Sequence, residues 1–304
     1  MHDRDTLHRF LFDRFPIRGH LVHLDAAWRA LIEHRQYPDA IRETLGEAVV
    51  ASLLLAATIK FEGVLSLQLQ GDGPMHLLLA QCTSGLGVRG LARYGDLAAG
   101  ATRKISELIG NGNLTVTLET DDAAQRYQGI VPIEGERLAE SLQAYFQNSE
   151  QLPTRLWLHA DAQGASGMLL QKLPGASSLP AADAALVEDA WRRVQLIADT
   201  LTPEELRTLE DAEILHRLFN EDDLRLFEPS PVYFRCRCSR ERVAGMLQGL
   251  GEAETRGVIA ERGKVEVHCD FCNRAYVFDA VDVEQLFKAP VAADTASRAP
   301  PRVH

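Results

Sequence analysis

Four of the five cysteines in this 304-residue chain lie in two close pairs. Cys236 and Cys238 form a Cys-x-Cys pair, and Cys269 and Cys272 form a Cys-x-x-Cys pair thirty residues further on. Two close pairs that the fold brings together can supply four thiolates in a tetrahedron, the closed ligand set of a structural zinc site. The pattern therefore predicts one zinc ion bound by all four cysteines, since unrelated core thiols have no reason to occur in pairs.

Zinc-bound sulfurs also have redox chemistry. Zinc keeps them as thiolates, whereas a free cysteine, with a pKa of about 8.5, is mostly protonated at neutral pH. Peroxide or hypochlorous acid can oxidise a thiolate to a sulfenic acid, which a neighbouring thiolate resolves to a disulfide. Cys269 and Cys272 are well spaced to pair, and Cys236 and Cys238 can close a smaller, more strained ring. Each disulfide would remove two zinc ligands and destabilise the module. The spacing alone fits both a purely structural zinc ribbon and a redox switch.

Two further residues bear on this site. His268 precedes Cys269 directly, and with four thiolates available it is predicted to be a neighbour that can hydrogen-bond to a sulfur rather than a ligand. Cys82 stands alone in an apolar, strand-like stretch. A small buried core residue is the interpretation that this context favours.

The composition, with 46% hydrophobic and 25% charged residues, is that of an ordinary globular protein. The length suits two domains, or one large and one small. A polar start and the lack of an apolar run of membrane-spanning length predict neither a signal peptide nor a membrane partner. Cysteines grouped as metal pairs indicate a reducing cytosol, so a cytoplasmic protein is expected.

The net charge of −11 is unevenly distributed along the chain. Residues 181–231 hold 13 acidic and 5 basic residues, whereas residues 232–288 hold 9 of each. A cysteine module without net positive charge lacks the usual electrostatic footprint for a phosphate backbone. No nucleic-acid partner is therefore expected.

The elements that precede the cysteines predict an α+β domain over residues 1–178, with a mostly antiparallel sheet. A helix from Pro38 to about Phe61 is almost entirely apolar in its second half, which is typical of a helix buried against a sheet. Asp25 is predicted to cap a helix through about Arg35. A further helix is predicted from Glu136 to about Phe146. Strands are predicted in two pieces of Thr6–Leu24 and at Val64–Gln70, Met75–Gln81, Gly85–Arg93, Asn113–Thr120, Arg126–Val131, Thr154–Ala160 and Met168–Lys172.

No catalytic site is predicted in this domain. Gly85–Gly90 formally matches the nucleotide fingerprint G-x-G-x-x-G, but the residues that follow continue a strand instead of opening an apolar helix. The scattered histidines, carboxylates and serines show no spacing of a catalytic triad or of a second metal site. A non-enzymatic function is therefore expected.

An acidic helical linker is predicted over residues 179–231, after a Pro-, Gly- and Ser-rich stretch at Pro174–Pro180. Thr202 is predicted to cap a helix that begins at Pro203, and Asp211–Phe219 is predicted to form another. These amphipathic helices are compatible with stable packing on a neighbour. They are also compatible with a metastable region that detaches and offers its apolar faces to a partner.

The small zinc-binding module is predicted over residues 232–288. Ser239 leads into a helix that ends at Gly249–Gly251, and Lys264–His268 is a predicted strand that delivers the second cysteine pair. Asn273 and Arg274 are predicted to turn the chain into a strand at Ala275–Phe278. Residues 289–304, rich in Ala, Pro and small polar residues, are predicted to be disordered.

The sequence resembles the thirty-three-kilodalton heat-shock protein family of redox-regulated bacterial holdase chaperones. Phe234–Arg242 and Val267–Cys272 look like the two cysteine motifs of that family. The resemblance extends over nearly the whole chain, with further similar segments at Gly71–Pro74, Val88–Gly90, Tyr127–Val131 and Tyr145–Thr154.

The resemblance implies an ATP-independent chaperone that is inactive while reduced and zinc-bound. Oxidation would form Cys236–Cys238 and Cys269–Cys272 disulfides, release zinc, and unfold the module together with the linker. The exposed apolar surface would hold unfolding client proteins and later pass them to ATP-dependent foldases. The resemblance also implies a homodimer in the active state.

Two alternative functions come from other classes. A thiol–disulfide oxidoreductase using Cys269 and Cys272 is disfavoured, because no thioredoxin-like strand-then-helix context surrounds the pair. A constitutive zinc ribbon that binds RNA or a protein would bind with and without oxidant.

Overall fold

The computed structural model describes residues 4–97, 104–120, 126–174 and 181–288, without the side chains of 181 and 182. It divides into two compact units, Met1–Cys236 and Arg237–His304, so the chain passes between them inside the first cysteine pair. The domain boundaries predicted at 178, 231 and 288 remain predictions. Most of the predicted stretch at Pro174–Pro180 and the whole predicted tail lie outside the described residues.

The first unit contains two antiparallel sheets and the helices that pack on them, which confirms the predicted α+β class. Strands β1 to β12 span Thr6–Phe12, Ile17–Leu24, Gly63–Gly71, Met75–Thr83, Gly87–Tyr94, Gly112–Thr120, Arg126–Pro132, Thr154–Ala160, Ala165–Lys172, Leu224–Leu226, Ser230–Pro231 and Tyr233–Phe234. One sheet has the order β10-β1-β2-β9-β8, with β11 also on β1, and the other has the order β12-β5-β4-β3-β6-β7. The pairing is antiparallel throughout except between β12 and β5, which are parallel.

Seven helices of the first unit lie in the described residues. Helices α1 to α7 span Ala26–Ile32, Asp39–Thr58, Ile105–Ile109, Leu138–Tyr145, Ala181–Ala198, Pro203–Thr208 and Asp211–Phe219, and a π-helical turn at Phe146–Glu150 continues α4. No helix in the described residues has both the length and the hydropathy that crossing a bilayer would require.

Helix α2 is the buried helix that the apolar stretch predicts. It packs against β4 and β5 of one sheet and against β2, β8 and β9 of the other. Because it is enclosed by both sheets, it is apolar nearly all round rather than along one stripe, and Leu53 and Leu54 are fully buried.

The predicted cap at Asp25 is wrong in its chemistry. The Asp25 side chain makes no capping hydrogen bond, and its carboxylate instead accepts from the backbone N–H of Arg4 at 3.0 Å. The carboxylate of Asp5 accepts from the N–H groups of Asp25 and Ala27, at 2.9 and 3.0 Å. The backbone N–H groups at the start of α1 therefore find their acceptor in Asp5, the residue directly before β1. A capping pattern read from neighbouring residues cannot reveal this contact.

The glycines of the nucleotide-like motif open a strand. Strand β5 begins at Gly87 and continues to Tyr94, where the fingerprint needs the first turns of a helix. The residue between the first two glycines, Leu86, has a φ of 61°. The structure therefore agrees with the exclusion of nucleotide binding here.

Helices α5 to α7 pack their apolar faces on the first sheet. Thr202 is the predicted helix cap, and it forms a capping box. Its hydroxyl accepts from Glu205 N–H at 3.2 Å, and the Glu205 carboxylate accepts from Thr202 N–H at 2.9 Å. Side chains of β1, β2, β9 and the three helices share one core, which we call the linker core: Phe10, Phe12, Ile17, Leu21, Met168, Leu170, Trp191, Val194, Ala198, Leu201, Leu206, Ile214, Leu215, Leu218 and Phe219.

A buried polar cluster lies beside the linker core. Asp211, the first residue of α7, lies within hydrogen-bond distance of His8 Nδ1 and 2.8 Å from His23 Nδ1. His23 Nε2 also lies 2.7 Å from the carbonyl oxygen of Leu206. Burial by itself would raise the pKa of Asp211, but the hydrogen bonds and charges of His23 and His8 outweigh it and hold that pKa below its usual value. This carboxylate therefore ties α7 to β1 and β2.

The second unit has the predicted helix and strands, together with two helices that the sequence pattern does not predict. Its elements are α8 Arg240–Leu250, α9 Glu252–Arg262, β13 Val265–His268, β14 Ala275–Phe278 and α10 Ala280–Lys288. Val243 and Leu247 of α8 are buried, whereas Met246 and Leu250 are exposed. Its core has six buried side chains: Val243, Leu247, Val265, Tyr276, Phe278 and Val283.

We predict that Asp211→Asn weakens the docking of the linker helices. Leaving buried polar groups without their partner costs about 1–3 kcal/mol, so the free energy of unfolding in urea should fall by about 2 kcal/mol at neutral pH. The matched control is Asp199→Asn, which removes an exposed partner of Arg155 and should change stability by less than about 1 kcal/mol. Equal midpoints for the two variants would contradict the role given to Asp211.

The pH dependence follows from the direction of the Asp211 shift. A lowered carboxyl pKa contributes stability that is complete above the unfolded value of about 3.9 and is lost as the pH falls through the lower folded value. The wild type should therefore lose this contribution only in acid, below about pH 4. The stability difference between wild type and Asp211→Asn should shrink over that range.

Candidate metal centre

The structure brings the four paired cysteines together. Their Sγ atoms all lie within 4.8 Å of one another. None of the four is in a disulfide, and Cys272 is buried while the other three are half-buried. Sulfurs around a tetrahedral zinc ion lie about 3.8 Å apart, given a Zn–S distance of about 2.3 Å. The Cys238 and Cys272 sulfurs are 3.4 Å apart, far beyond the roughly 2.05 Å of a disulfide. The donor set and its spacing fit a zinc site.

The second pair is held by a tight turn between β13 and β14. The backbone N–H of Asn273 donates to the carbonyl of Cys269 at 2.8 Å, and the N–H of Cys269 donates to the carbonyl of Arg274 at 3.0 Å. Asn273 has a φ of 54°, a left-handed conformation that asparagine tolerates better than most residues. The predicted turn at Asn273 and Arg274 is confirmed, and it lets two sulfurs face the same side.

The first pair is fixed by the start of α8. The Ser239 hydroxyl caps this helix by accepting from Arg242 N–H at 3.3 Å. The Arg242 guanidinium also donates to the carbonyl of Arg237, between the two cysteines, at 2.9 Å. The capping residue Ser239 therefore follows Cys238 directly, and helix α8 begins at Arg240.

Tyr276 is part of the site, although the cysteine spacing does not indicate it. Its hydroxyl donates to the Cys238 sulfur at 3.1 Å. This hydrogen bond, with burial, raises the pKa of Tyr276 to about 12. The sequence carries no clear signal for it, since Ala275–Phe278 shows no alternation of apolar and polar residues; the structure shows Tyr276 and Phe278 buried and Ala275 and Val277 exposed. Tyr276 is the first inward residue after the Cys-x-x-Cys turn.

A cation lies beside the sulfurs as well. The hydrogen bond with Tyr276 is the largest cause that raises the pKa of Arg274, and the nearby Cys238 and Cys272 sulfurs raise it further. A neighbouring guanidinium favours the thiolate over the thiol. The protein environment therefore supports the ionised ligands that a metal needs.

His268 does not make the contact predicted for it. Its Nδ1 lies 3.3 Å from the carbonyl oxygen of Asn273, and its Nε2 lies 3.1 Å from a carboxylate oxygen of Glu266. The polar side chain that contacts a sulfur is that of Tyr276 instead.

Cys82 is the buried core residue that its apolar context predicts. It lies on β4 with no exposed surface. Burial raises the pKa of its thiol to about 12, so it remains a thiol at neutral pH. Because Cys82 lies outside the cluster of four sulfurs, it provides an internal control for experiments on them.

Comparisons with known proteins agree with this architecture. A family model described as "Hsp33 protein" matches residues 5–279. A "33 kDa chaperonin" of Nitrosococcus oceani is 49% identical over 298 residues, covering 98% of this chain and 99% of the relative. A protein of the same name from Methylobacillus flagellatus is 47% identical over 288 residues, covering 94% and 96%.

A solved structure has a similar fold. The crystal structure of a 33 kDa chaperonin (heat shock protein 33 homolog) from Thermotoga maritima superposes with a TM-score of 0.76 at 24% identity. The similarity covers 93% of this chain and 98% of that one.

We predict that Tyr276→Phe weakens metal binding while leaving the fold intact. Losing a partner that hydrogen-bonds to a ligand lowers metal affinity by about 10–100-fold, and the phenylalanine ring keeps the packing. Competition with a chromogenic zinc chelator would measure the change. The control is Tyr233→Phe, a tyrosine 41% exposed, which should leave the affinity unchanged. Equal affinities for both variants would contradict the role given to the Tyr276 hydroxyl.

Proposed function

Because this chain belongs to the Hsp33 family, we propose that it is an ATP-independent holdase chaperone whose activity is switched by oxidation of the four cysteines. Family membership itself supports a chaperone function, and the "chaperonin" names of the relatives are consistent with a non-enzymatic role. The observation that carries the redox proposal is the clustering of four cysteine sulfurs within 4.8 Å of one another.

In the reduced state, Cys236, Cys238, Cys269 and Cys272 would hold one zinc ion. When bound, zinc keeps the four sulfurs as thiolates and closes the module. Tyr276 donates a hydrogen bond to one sulfur, and Arg274 supplies positive charge beside two of them. These contacts stabilise the ionised sulfurs, which are also the nucleophiles that an oxidant attacks.

The oxidation proceeds in two displacements on each pair. A thiolate attacks one oxygen of hydrogen peroxide, the O–O bond breaks, and hydroxide leaves, which produces a sulfenic acid. The partner thiolate then attacks the sulfenic sulfur, the S–O bond breaks, and a second hydroxide leaves as the disulfide forms. Two electrons pass from the pair of sulfurs to the peroxide. We propose the disulfides Cys236–Cys238 and Cys269–Cys272, which is the pairing that the family resemblance implies.

Loss of the ligands would unfold the second unit. A structural zinc contributes apparent binding free energies of about 10–16 kcal/mol, comparable to the whole stability of about 5–15 kcal/mol of a typical domain. Without zinc, the apolar core that could stabilise the second unit has only six buried side chains. Disulfides that remove all four sulfurs from the metal would therefore leave it without enough stabilisation to stay folded.

The linker is the segment best placed to follow. Just before Cys236 the chain is held by β11 and β12, which are only two residues each. We propose that unfolding of the second unit frees these strands and then residues 179–231. The apolar faces of the helices in this segment are buried in the linker core. Freed from the sheet, those faces and the sheet surface beneath them would bind the apolar segments of unfolding proteins.

The partners follow from this mode of action. The clients would be unfolded or unfolding proteins, and a holdase without a nucleotide cycle would pass them to ATP-dependent foldases when its cysteines are reduced again. We also propose that the active form is a homodimer and that the protein works in the cytoplasm, where reduction can reset the thiols.

We predict that zinc release and holdase activity appear together. Peroxide at raised temperature should release about one zinc per chain, detected with a chromogenic chelator. The same treatment should suppress light scattering by a heat-unfolded client, and dithiothreitol with zinc should reverse both changes. Cys82→Ser should behave as the wild type, since its thiol is buried and protonated. Cys272→Ser should bind zinc weakly, and its holdase activity should no longer depend on peroxide.

Two results would contradict the proposal in different ways. Zinc release without any gain of holdase activity would mean that the cysteines respond to oxidants but control a function other than holdase activity. Retention of zinc during full peroxide treatment would make the four cysteines a purely structural site.

A further inference from the structure

We infer that a pocket in the first unit binds a small amphiphile that carries a carboxylate on a short apolar chain. The pocket has a volume of about 260 Å³ and lies against the last turns of α2, strands β3, β6 and β7, and the segment after α4. Its apolar walls are formed by Leu55, Leu65, Val116, Leu118, Phe146 and Leu152. These residues do not take part in the cysteine chemistry or in the linker core.

Arg18 supplies the pocket with a positive charge that lacks a counter-ion. Its guanidinium donates to the side-chain oxygen of Gln171 at 3.0 Å and to the carbonyl of Thr58 at 2.9 Å, both of which are neutral. Among the described residues, no carboxylate lies within ion-pair distance of it. Burial, and then the charge of Arg9, lower the pKa of Arg18. A partly desolvated cation is normally paired, and since the described residues offer Arg18 no anion, an anionic ligand would supply the partner.

The other charged group in the pocket is already occupied. The Glu150 carboxylate accepts hydrogen bonds from the hydroxyls of Tyr127 and Tyr145, at 2.9 and 2.8 Å. Both hydroxyl protons are committed to that carboxylate, which stabilises its charge. Both hydroxyls donate to one oxygen, Oε1, so Glu150 keeps its negative charge but has hydrogen-bond donors within the chain. Arg18 is hydrogen-bonded only to neutral oxygens, and an anionic head group placed at Arg18 is therefore favoured over an ammonium.

The wall beside Glu150 has an unusual backbone. Phe146–Glu150 forms a π-helical turn that ends at Gln151, a non-glycine residue with a φ of 54° and a ψ of 30°. Such turns occur frequently at functional sites, and a left-handed non-glycine residue persists where the surroundings hold it. Here the turn places the Phe146 ring and the Glu150 carboxylate on one wall of the pocket.

The size and lining limit the ligand further. Pockets for drug-sized molecules have volumes of about 300–1,000 Å³, so this one suits a smaller molecule. An aliphatic chain would contact the leucine and valine walls, and its carboxylate would reach the free side of the Arg18 guanidinium in a charge-assisted hydrogen bond. Octanoate is a probe with both features.

The test is titration of octanoate into the reduced full-length protein, followed by calorimetry and by the methyl NMR signals of Leu65, Val116 and Leu118. Saturable binding is expected, with octanol and acetate at least about tenfold weaker, because each lacks one half of the recognition. Arg18→Gln should lower the affinity for octanoate by about tenfold or more, and Arg18→Lys should restore part of it. The matched control, Arg9→Gln, removes a neighbouring charge outside the pocket lining and should have a smaller effect.

Filling the pocket tests the same inference without touching Arg18. Leu118→Phe should abolish octanoate binding while the protein keeps its cooperative thermal unfolding. The inference would be overturned by an absence of saturable binding below the concentration at which octanoate self-associates. It would also be overturned by octanol binding as tightly as octanoate, or by unchanged octanoate affinity in either Arg18→Gln or Leu118→Phe. All measurements use the reduced protein, so their outcome is independent of the proposed redox switch.

Discussion

If the four clustered sulfurs are ionised, the second unit would depend on one constraint, which is their mutual repulsion and the metal cation that would relieve it. Four sulfurs within 4.8 Å of one another are compatible with ionised ligands only around a metal. The same unit has a six-residue core and surface contacts such as the Arg240–Asp282 ion pair, which contribute little. Its fold and its proposed sensitivity to oxidants thus have one origin, since the groups that stabilise it are also the groups that react.

The first unit is stabilised by apolar packing instead of by a metal site. Helix α2 lies between two sheets in an extensive apolar core that contains no metal ligand, so changes at the cysteines need not reach it. The linker helices are intermediate, because they dock through the linker core and the Asp211 cluster, both of which can separate without breaking the sheets. This ordering of stabilities would allow a local chemical event to expose apolar surface while most of the fold persists.

Local patterns predict much of the fold and the metal ligands. Paired cysteines predict the cluster of four sulfurs that the structure shows, alternation and turns predict most of the strands, and the Thr202–Pro203 signal predicts the start of α6. Helix α9 is missed because it buries only Thr255 and so lacks an apolar stripe. The Asp5 cap, the Tyr276 hydrogen bond and the pocket around Arg18 are missed for another reason. Each depends on contacts between residues far apart in the chain, which no local period encodes.

Hydrogen–deuterium exchange, measured by mass spectrometry on the reduced protein with zinc bound and after zinc is chelated, tests the central claim most directly. If the metal holds the second unit folded, amides of 240–288 should lose protection when zinc is removed, while those of α2 at Asp39–Thr58 remain protected. Retained protection across 240–288 without metal would show that the small apolar core is sufficient. The metal would then not be what keeps this unit folded.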